Sequence, residues 1–328
     1  MNRQQKHNFN RRLFCAATAA LFVPMLAHAQ TYPDRPIKIV QGFAAGGNAD
    51  TIARLVGGEI GKALNQPVVV ESQAGAGGTI ASGTVSRAKP DGYTLLLATG
   101  GHVVAGALYN TLPYQTINSF EMVSTITFFP FLIVTKADSK YQNLRELMAA
   151  AKANPGSIGY GTAGIGSTHH LAGELLSKTA GVSLLHVPYR GDAGSITALL
   201  AGDIPVVIAP ATAVLANIKA GKLRALATTG SQRWPGLPDV PTANEQGVTG
   251  YDVRSWAGLM APAGTPRAVI DKLNAETVKA LKQPQIQARL EEIGGEARSS
   301  TPEEMKAMVT SELQRWTQVV NDAKIPKQ

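Results

Sequence analysis

Ser167, Thr168, His169 and His170 stand side by side in "GTAGIGSTHHLAGE" (Gly161–Glu174). A serine beside histidines raises nucleophilic catalysis, with a ring nitrogen as base. Adjacent residues do not share one helix face, and the chain has no G-x-S-x-G elbow to expose the hydroxyl. Hydrolysis is therefore the alternative reading, not the leading one. His170 and Glu174 are spaced for one helix face, but two ligands do not make a metal site. His170 reads better as a packing residue at a helix start.

The glycines around these residues suggest different chemistry. "GFAAGGNAD" (Gly42–Asp50) and "GTAGIGSTHH" (Gly161–His170) each join an extended run to a helical one, and "QAGAGGT" (Gln73–Thr79) is a third bare loop. Free N–H groups before a helix N-terminus can capture an anion; a tight turn alone would need the same residues. Phe43, Ala44, Ala45, Gly46 and Asn48 are the candidates in the first loop. Ala163, Gly164, Gly166, Ser167, Thr168 and His169 are those in the second. Neither loop fits a nucleotide fingerprint: there is no G-x-x-x-x-G-K-[ST] motif, and "GAGGTI" puts Ile80 where a last glycine is needed. "HVPYRGDAGS" adds Arg190, a surface or cleft cation, and Asp192. "DVRSW" adds Arg254, either a bidentate clamp on a carboxylate or half of a structural ion pair.

These loops must be positioned by elements legible in the hydropathy. "IKIV" before the first loop is β-branched, and "DTIARLVGGEIGKAL" (Asp50–Leu64) carries apolar residues at helical spacing, with Asn48 or Asp50 as cap. "PVVVES" (Pro67–Ser72) and "TLLLAT" (Thr94–Thr99) read as buried strands, the second ending on Thr99. Alternating strands and helices predict an α/β fold with a parallel sheet covered on both faces. The pattern restarts at "FFPFLIVTK" (Phe128–Lys136) and runs through "IPVVIAP" and "KLRALATT". Helices are expected near 267–282 and 302–323. Two such units imply two lobes, with crossings at Phe128–Val134 and Val253–Leu259. Residues 30–130 and 255–328 would form one lobe and 131–254 the other, with loops 42–50 and 161–170 facing across the cleft, where ligands of such sheets bind.

The 328-residue chain is ordinary in composition, with 44% hydrophobic and 16% charged residues. Its first 29 residues differ. Arg3, Lys6, Arg11 and Arg12 precede the apolar run Leu13–Ala27, and "AHA" (Ala27–Ala29) supplies small residues for cleavage. This is the pattern of a secretory leader, too short for a membrane span, and implies a periplasmic mature protein. "NRRLF" leaves a twin-arginine route open beside the general one. Without the four leader cations the formal charge of +8 falls to +4, with no nucleic-acid footprint. The only cysteine, Cys15, lies in the leader, so no disulfide or thiolate metal site is expected.

Several stretches together resemble the Bug/TctC family, the periplasmic solute-binding proteins of tripartite tricarboxylate transporters. They are "YPDRPIKIVQGFAAGGNADTIARLVG", "QPVVVESQAGAGGTIASGTVSRAKPDGYTLLLAT", "ANPGSIGYGTAGIGSTHHLAGELL", "HVPYRGDAGSITALLAGD", "AGKLRALATT", "LPDVPTANEQG" and "SWAGLMAPAGTP". The resemblance implies a two-lobed Venus-flytrap fold and no enzymatic activity or cofactor. It implies a monomer that closes on a small organic anion and works with membrane subunits of the transporter. It also implies that loops Gly42–Asp50 and Ala163–His169 hold a carboxylate, partly through bridging waters. A sensing protein of the same fold is the other alternative. Two departures bear on selectivity: "GDIPVVIAPA" places Ala209, Pro210 and Ala211 where the family often has a polar or acidic strand end, and His169 stands where a small hydroxyl residue is common. Without an acid near Ala209 to pair an ammonium, the reading favours unaminated mono- or dicarboxylates, such as terephthalate, with Arg254 or His169 for a second carboxylate.

Overall fold

A computed structural model describes residues 32–328; residues 1–29, which the sequence suggests are a leader, and Cys15 among them lie outside the described residues. The first half runs β1 (Ile37–Gln41), α1 (Asn48–Leu64), β2 (Val68–Ser72), a 3₁₀ turn (Ala76–Gly78), α2 (Thr79–Ser86), β3 (Thr94–Thr99), α3 (Gly100–Leu108) and β4 (Phe120–Lys136). Next come α4 (Leu144–Ala153), β5 (Gly159–Thr162), α5 (Thr168–Ala180), β6 (Leu185–Pro188), α6 (Asp192–Ala201), β7 (Val206–Pro210), α7 (Ala211–Lys219) and β8 (Leu223–Thr228). The chain ends with β9 (Arg254–Pro262), α8 (Arg267–Leu281), α9 (Pro284–Glu292), β10 (Glu296–Ala297) and α10 (Pro302–Asp322).

Strand order is β2-β1-β3-β9-β4-β7-β5-β6, with β8 and β10 also paired to β4. β4 belongs to both ends of this order. Its Phe120–Pro130 part pairs antiparallel with β9, and its Phe131–Lys136 part pairs with β7 and β8. Thr229 pins the changeover. Its hydroxyl accepts from Phe131 N–H at 3.0 Å and lies 2.7 Å from the Val253 carbonyl, so one buried side chain ties both crossing segments.

Three sequence expectations need correction. β1 is parallel to β2 and β3, but β9 is antiparallel to β3 and β4, so the sheet is mixed. β2 is an edge strand with Val69 54% exposed, not a buried one; three consecutive valines do not distinguish an edge from a centre. The α1 cap is Gly47 rather than Asn48 or Asp50. Asp50 instead reaches back one turn and accepts from Gly46 N–H at 3.1 Å.

The sequence reading also passed over α3, α7 and α9. In α3, "GGHVVAGAL" is buried on nearly every side, so it shows no polar face and no amphipathic period. Its His102 sits 2.8 Å from the Thr116 carbonyl, which can only accept, so Nε2 carries the proton and Nδ1 accepts from Ser82 at 3.0 Å. Burial lowers the His102 pKa to about 4, so the ring is neutral in the core.

Candidate functional site

Phe43, Asn48, Ala49, Thr99, Phe129, Phe131, Thr168, His169, Asp192, Pro210 and Ser255 enclose a cavity beyond the strand ends. Its volume is ≈ 20 Å³, about enough for one water molecule. Most of its wall is made of helix beginnings. Asn48 and Ala49 open α1, Thr168 and His169 open α5, and Asp192 opens α6. Thr99 and Pro210 are the caps that precede α3 and α7.

The first N–H groups of a helix have no intrahelical acceptor, and each such end carries roughly half a positive charge. Five ends therefore aim donors and positive potential at one small space. Among the described residues that line it there is no lysine or arginine. The phenylalanines, Ala49 and Pro210 supply apolar wall, and the Thr99, Thr168 and Ser255 hydroxyls add adjustable donors. An added Cβ on Gly100, the first residue of α3, would lie 2.6 Å from Ser255 Oγ and 2.8 Å from Thr168 Oγ1. Only a bare backbone lets these groups meet there.

Four polar atoms in this wall are buried without a hydrogen-bond partner: Asn48 Oδ1, His169 Nδ1, His169 Nε2 and Asp192 Oδ1. His169 Nε2 stands 3.1 Å from Asp192 Oδ1. The two are close enough for charge attraction but are not aligned as a hydrogen bond. The residues are only 6–7% exposed. Buried polar groups are normally paired, and exceptions call for an explanation.

The two glycine loops spend many N–H groups on themselves. Phe43 N–H donates to Gln41 Oε1 (2.7 Å), Gly46 to Asp50, and Gly47 to the Ala44 carbonyl (3.2 Å). In the second loop Gly164 N–H donates to Thr162 Oγ1 (3.2 Å) and Ser167 N–H to the Gly164 carbonyl (3.2 Å). The residues of these loops and helix starts that border the cavity beyond Phe43 are Asn48–Ala49 and Thr168–His169, where a helix leaves its first N–H groups without an intrahelical acceptor.

The third loop explains other glycines. An added Cβ on Gly77 would lie 2.6 Å from the Ile165 carbonyl oxygen, and one on Gly42 would lie 2.4 Å from Gly78 Cα. Backbone meets backbone across the three loops, and here the missing side chain serves closure rather than anion capture.

Of the sequence candidates, Phe43, Asn48, Thr99, Thr168, His169 and Asp192 line the cavity. Ala44, Ala45, Gly46, Ala163, Gly164 and Gly166 shape the loops behind it. Ser167 is corrected: it is wholly buried as the α5 cap, donating to the Gly164 carbonyl at 2.6 Å and accepting from His170 N–H at 3.3 Å. Its hydroxyl is thus engaged in the loop and the helix cap and does not line the cavity. Arg254 is also corrected. It is exposed and lines surface grooves beside Phe128, while its neighbour Ser255 faces the cavity. Strand side chains alternate faces, so one position decides this. Ala209 is buried, and Pro210 lines the cavity instead. The premise that no acid is near fails as well, because Asp192 is in the same wall. Pro210 falls within the Ala209–Ala211 stretch that the sequence pointed to, whereas Ala49, Phe129, Phe131 and Ser255 were not singled out. Only the extended run "FFPF" hinted at two of them.

Behind the second loop lies a pair of histidine rings, His170 buried and His186 half-buried. The His170 and His186 rings stack at 4.1 Å, and His186 Nε2 is 2.6 Å from Thr162 Oγ1. Burial lowers the His170 pKa to about 4; burial and the neighbouring histidines lower His186 to about 3.

The family profile described as "Tripartite tricarboxylate transporter family receptor" matches residues 52–325. The chain belongs to this family. Its members are solute-binding receptors rather than enzymes. The chain is similar to a solved structure of the periplasmic binding protein BugD, at 37% identity and TM-score 0.87, over 90% of this chain and 100% of that one. It is similar to MatC from Rhodopseudomonas palustris with bound malate, at 34% identity and TM-score 0.84, over 88% of this chain and 100% of that one. It is also similar to an R. palustris protein solved with adipate, at 32% identity and TM-score 0.87, over 90% and 100%. The α/β fold of this family receptor is thus the two-lobed fold of periplasmic binding proteins. Among the described residues no helix is long and apolar enough to cross a membrane.

Proposed function

We propose that this receptor works in the periplasm, after removal of residues 1–29, and closes on a small organic carboxylate for delivery to a tripartite tricarboxylate transporter. The two jaws are taken as residues 30–130 with 255–328, and 131–254. The observation that carries the ligand class is the convergence of five helix N-termini on a cavity without a cationic side chain. Hydrogen bonds to a charged group contribute roughly 1.5–3 kcal/mol each. Four or five, less association costs, are enough for a micromolar complex at about −8 kcal/mol. The neighbours solved with malate and adipate support the class, since both ligands are small carboxylates.

The reading is tested by thermal shift with carboxylates and their neutral amides. A carboxylate at a hundred times its Kd stabilises the fold by about 2.7 kcal/mol, and its amide should shift nothing. Amides that shift the protein as much as the acids would overturn the class. Delivery is tested by uptake of the bound acid in cells lacking this chain, where uptake should fall.

A further inference from the structure

The helix starts account for a ligand's carboxylate, but not for the other buried atoms of the wall. Asn48 Oδ1 and the oxygens of an ionised Asp192 carboxylate can only accept hydrogen bonds, and neither Asn48 Oδ1 nor Asp192 Oδ1 has a hydrogen-bond partner. Both belong to residues more than nine-tenths buried, and both line the cavity. Closing an uncompensated carboxylate into such a space is costly. The α6 N-terminus offsets part of that cost, and His169 Nε2 at 3.1 Å offsets more when the ring is protonated. Neither offers Asp192 Oδ1 an aligned donor. Of the two residues named for a second ligand carboxylate, Arg254 lies outside and His169 Nε2 already stands against Asp192 at 3.1 Å.

We infer that Asp192, assisted by Asn48, determines specificity by accepting a hydrogen bond from an N–H or O–H group that the ligand carries close to its carboxylate. This rests on the carboxylate reading above and narrows it. The favoured ligand is a small amino or hydroxy acid rather than its unsubstituted parent. The tightness of the cavity places both recognition elements within a few bonds of each other. A bare diacid would instead bring its second carboxylate toward the Asp192 carboxylate.

The test uses acids that differ at one carbon. Calorimetry on the full mature chain would compare succinate, malate and aspartate, and propionate, lactate and alanine. The substituted acids should bind at least about tenfold more tightly than the parent of their series. In Asp192→Asn, which keeps the shape but removes the charge, the advantage of the amino acid should collapse. Succinate and propionate should hold or gain affinity. An unchanged melting temperature without ligand shows that the variant folds. If each parent acid binds as tightly as its substituted relatives, the inference fails while the carboxylate reading stands. An advantage that survives Asp192→Asn unchanged also overturns it. If none of the six acids binds, both fail. A larger loss for the amino acid than for the hydroxy acid identifies the donor as an ammonium; equal losses identify it as a hydroxyl.

Discussion

The two cavity loops have the same outline and opposite chemistry behind them. Gly46 and Gly166 both take φ +78°, each at the turn before a helix that opens on the cavity. Behind the first loop stands a charged network. Asp50 accepts from Gly46 N–H, is held by the Arg54 guanidinium at 2.9 and 3.1 Å, and lies 3.4 Å from Ser72 Oγ. Burial works to raise the Asp50 pKa, but Arg54, Gly46 N–H and Ser72 together bring it below the ordinary carboxylate value. Behind the second loop stand Thr162, Ser167 and the two rings His170 and His186, which burial keeps neutral, with the Glu174 carboxylate 3.9 Å from His170 Nε2. A helix start can thus be aimed at one ligand by an ion pair or by neutral rings. The two supports should fail at different pH.

The largest expected effect is acid loss of the second support. Free histidine titrates near 6.5, and His170 and His186 resist protonation in the fold, so the unfolded chain binds protons more readily. Their contribution is complete above pH 6.5 and declines as pH falls toward about 4 for His170 and about 3 for His186. By pH 4 the loss is about 3 kcal/mol for a single ring. His102 declines over the same window as His170. Melting temperature followed from pH 7.5 to 4 should fall steeply, and His186→Gln should flatten the fall. An Asp50→Asn variant should track the wild type over that window, because the Asp50 contribution is lost only below the ordinary carboxylate range. Equal flattening by both variants would erase the contrast between the loops.

Gly77→Ala tests the contact between the third and second glycine loops. The methyl would press on the Ile165 carbonyl at a residue with φ +62°. Overpacking of this kind costs roughly 1–3 kcal/mol. Since the strain falls on the closed state, it should appear as about tenfold or more weaker carboxylate binding. Scattering with saturating ligand should show a more open particle than the wild type. Undiminished affinity would mean that the loops part without loss of function.

Asp50→Asn and Ser167→Ala form a matched pair. The first weakens charged hydrogen bonds in an ion pair whose arginine is half exposed, and should cost roughly 1–2 kcal/mol. The second removes a helix cap and should cost about 1 kcal/mol. Chemical denaturation would measure both. Neither should change the ranking of bound acids. A change of ranking in Ser167→Ala would put its hydroxyl back in the site. The smallest effect belongs to Arg254→Ala, which should leave diacid and monoacid affinities within error of the wild type by calorimetry. Selective loss of diacids there would show that the arginine reaches the ligand.

The sequence located the helix starts well, because glycine loops followed by apolar periodicity leave a local signature. Asn48, Thr168 and His169 were legible on that basis. It misjudged Ser167 because a capping serine and an exposed one look alike in a string. It missed Phe129, Phe131 and Ser255 because alternation along β4 and β9 tells which residues share a face, but not which face meets the cleft.

What the sequence determined by itself is what depends on neighbours along the chain: most strands and helices, the loops that must bend at glycine, and the α/β class. The tertiary structure alone decided what depends on distant segments meeting. It made β9 antiparallel, buried α3 on nearly all sides, set Gly77 against Ile165, and turned Arg254 outward while bringing Asp192 beside His169. The reason is physical. Local propensity acts over one turn or one pleat, whereas the charge and hydrogen-bonding capacity of a cavity arise from elements some 150 residues apart, and only packing brings those together.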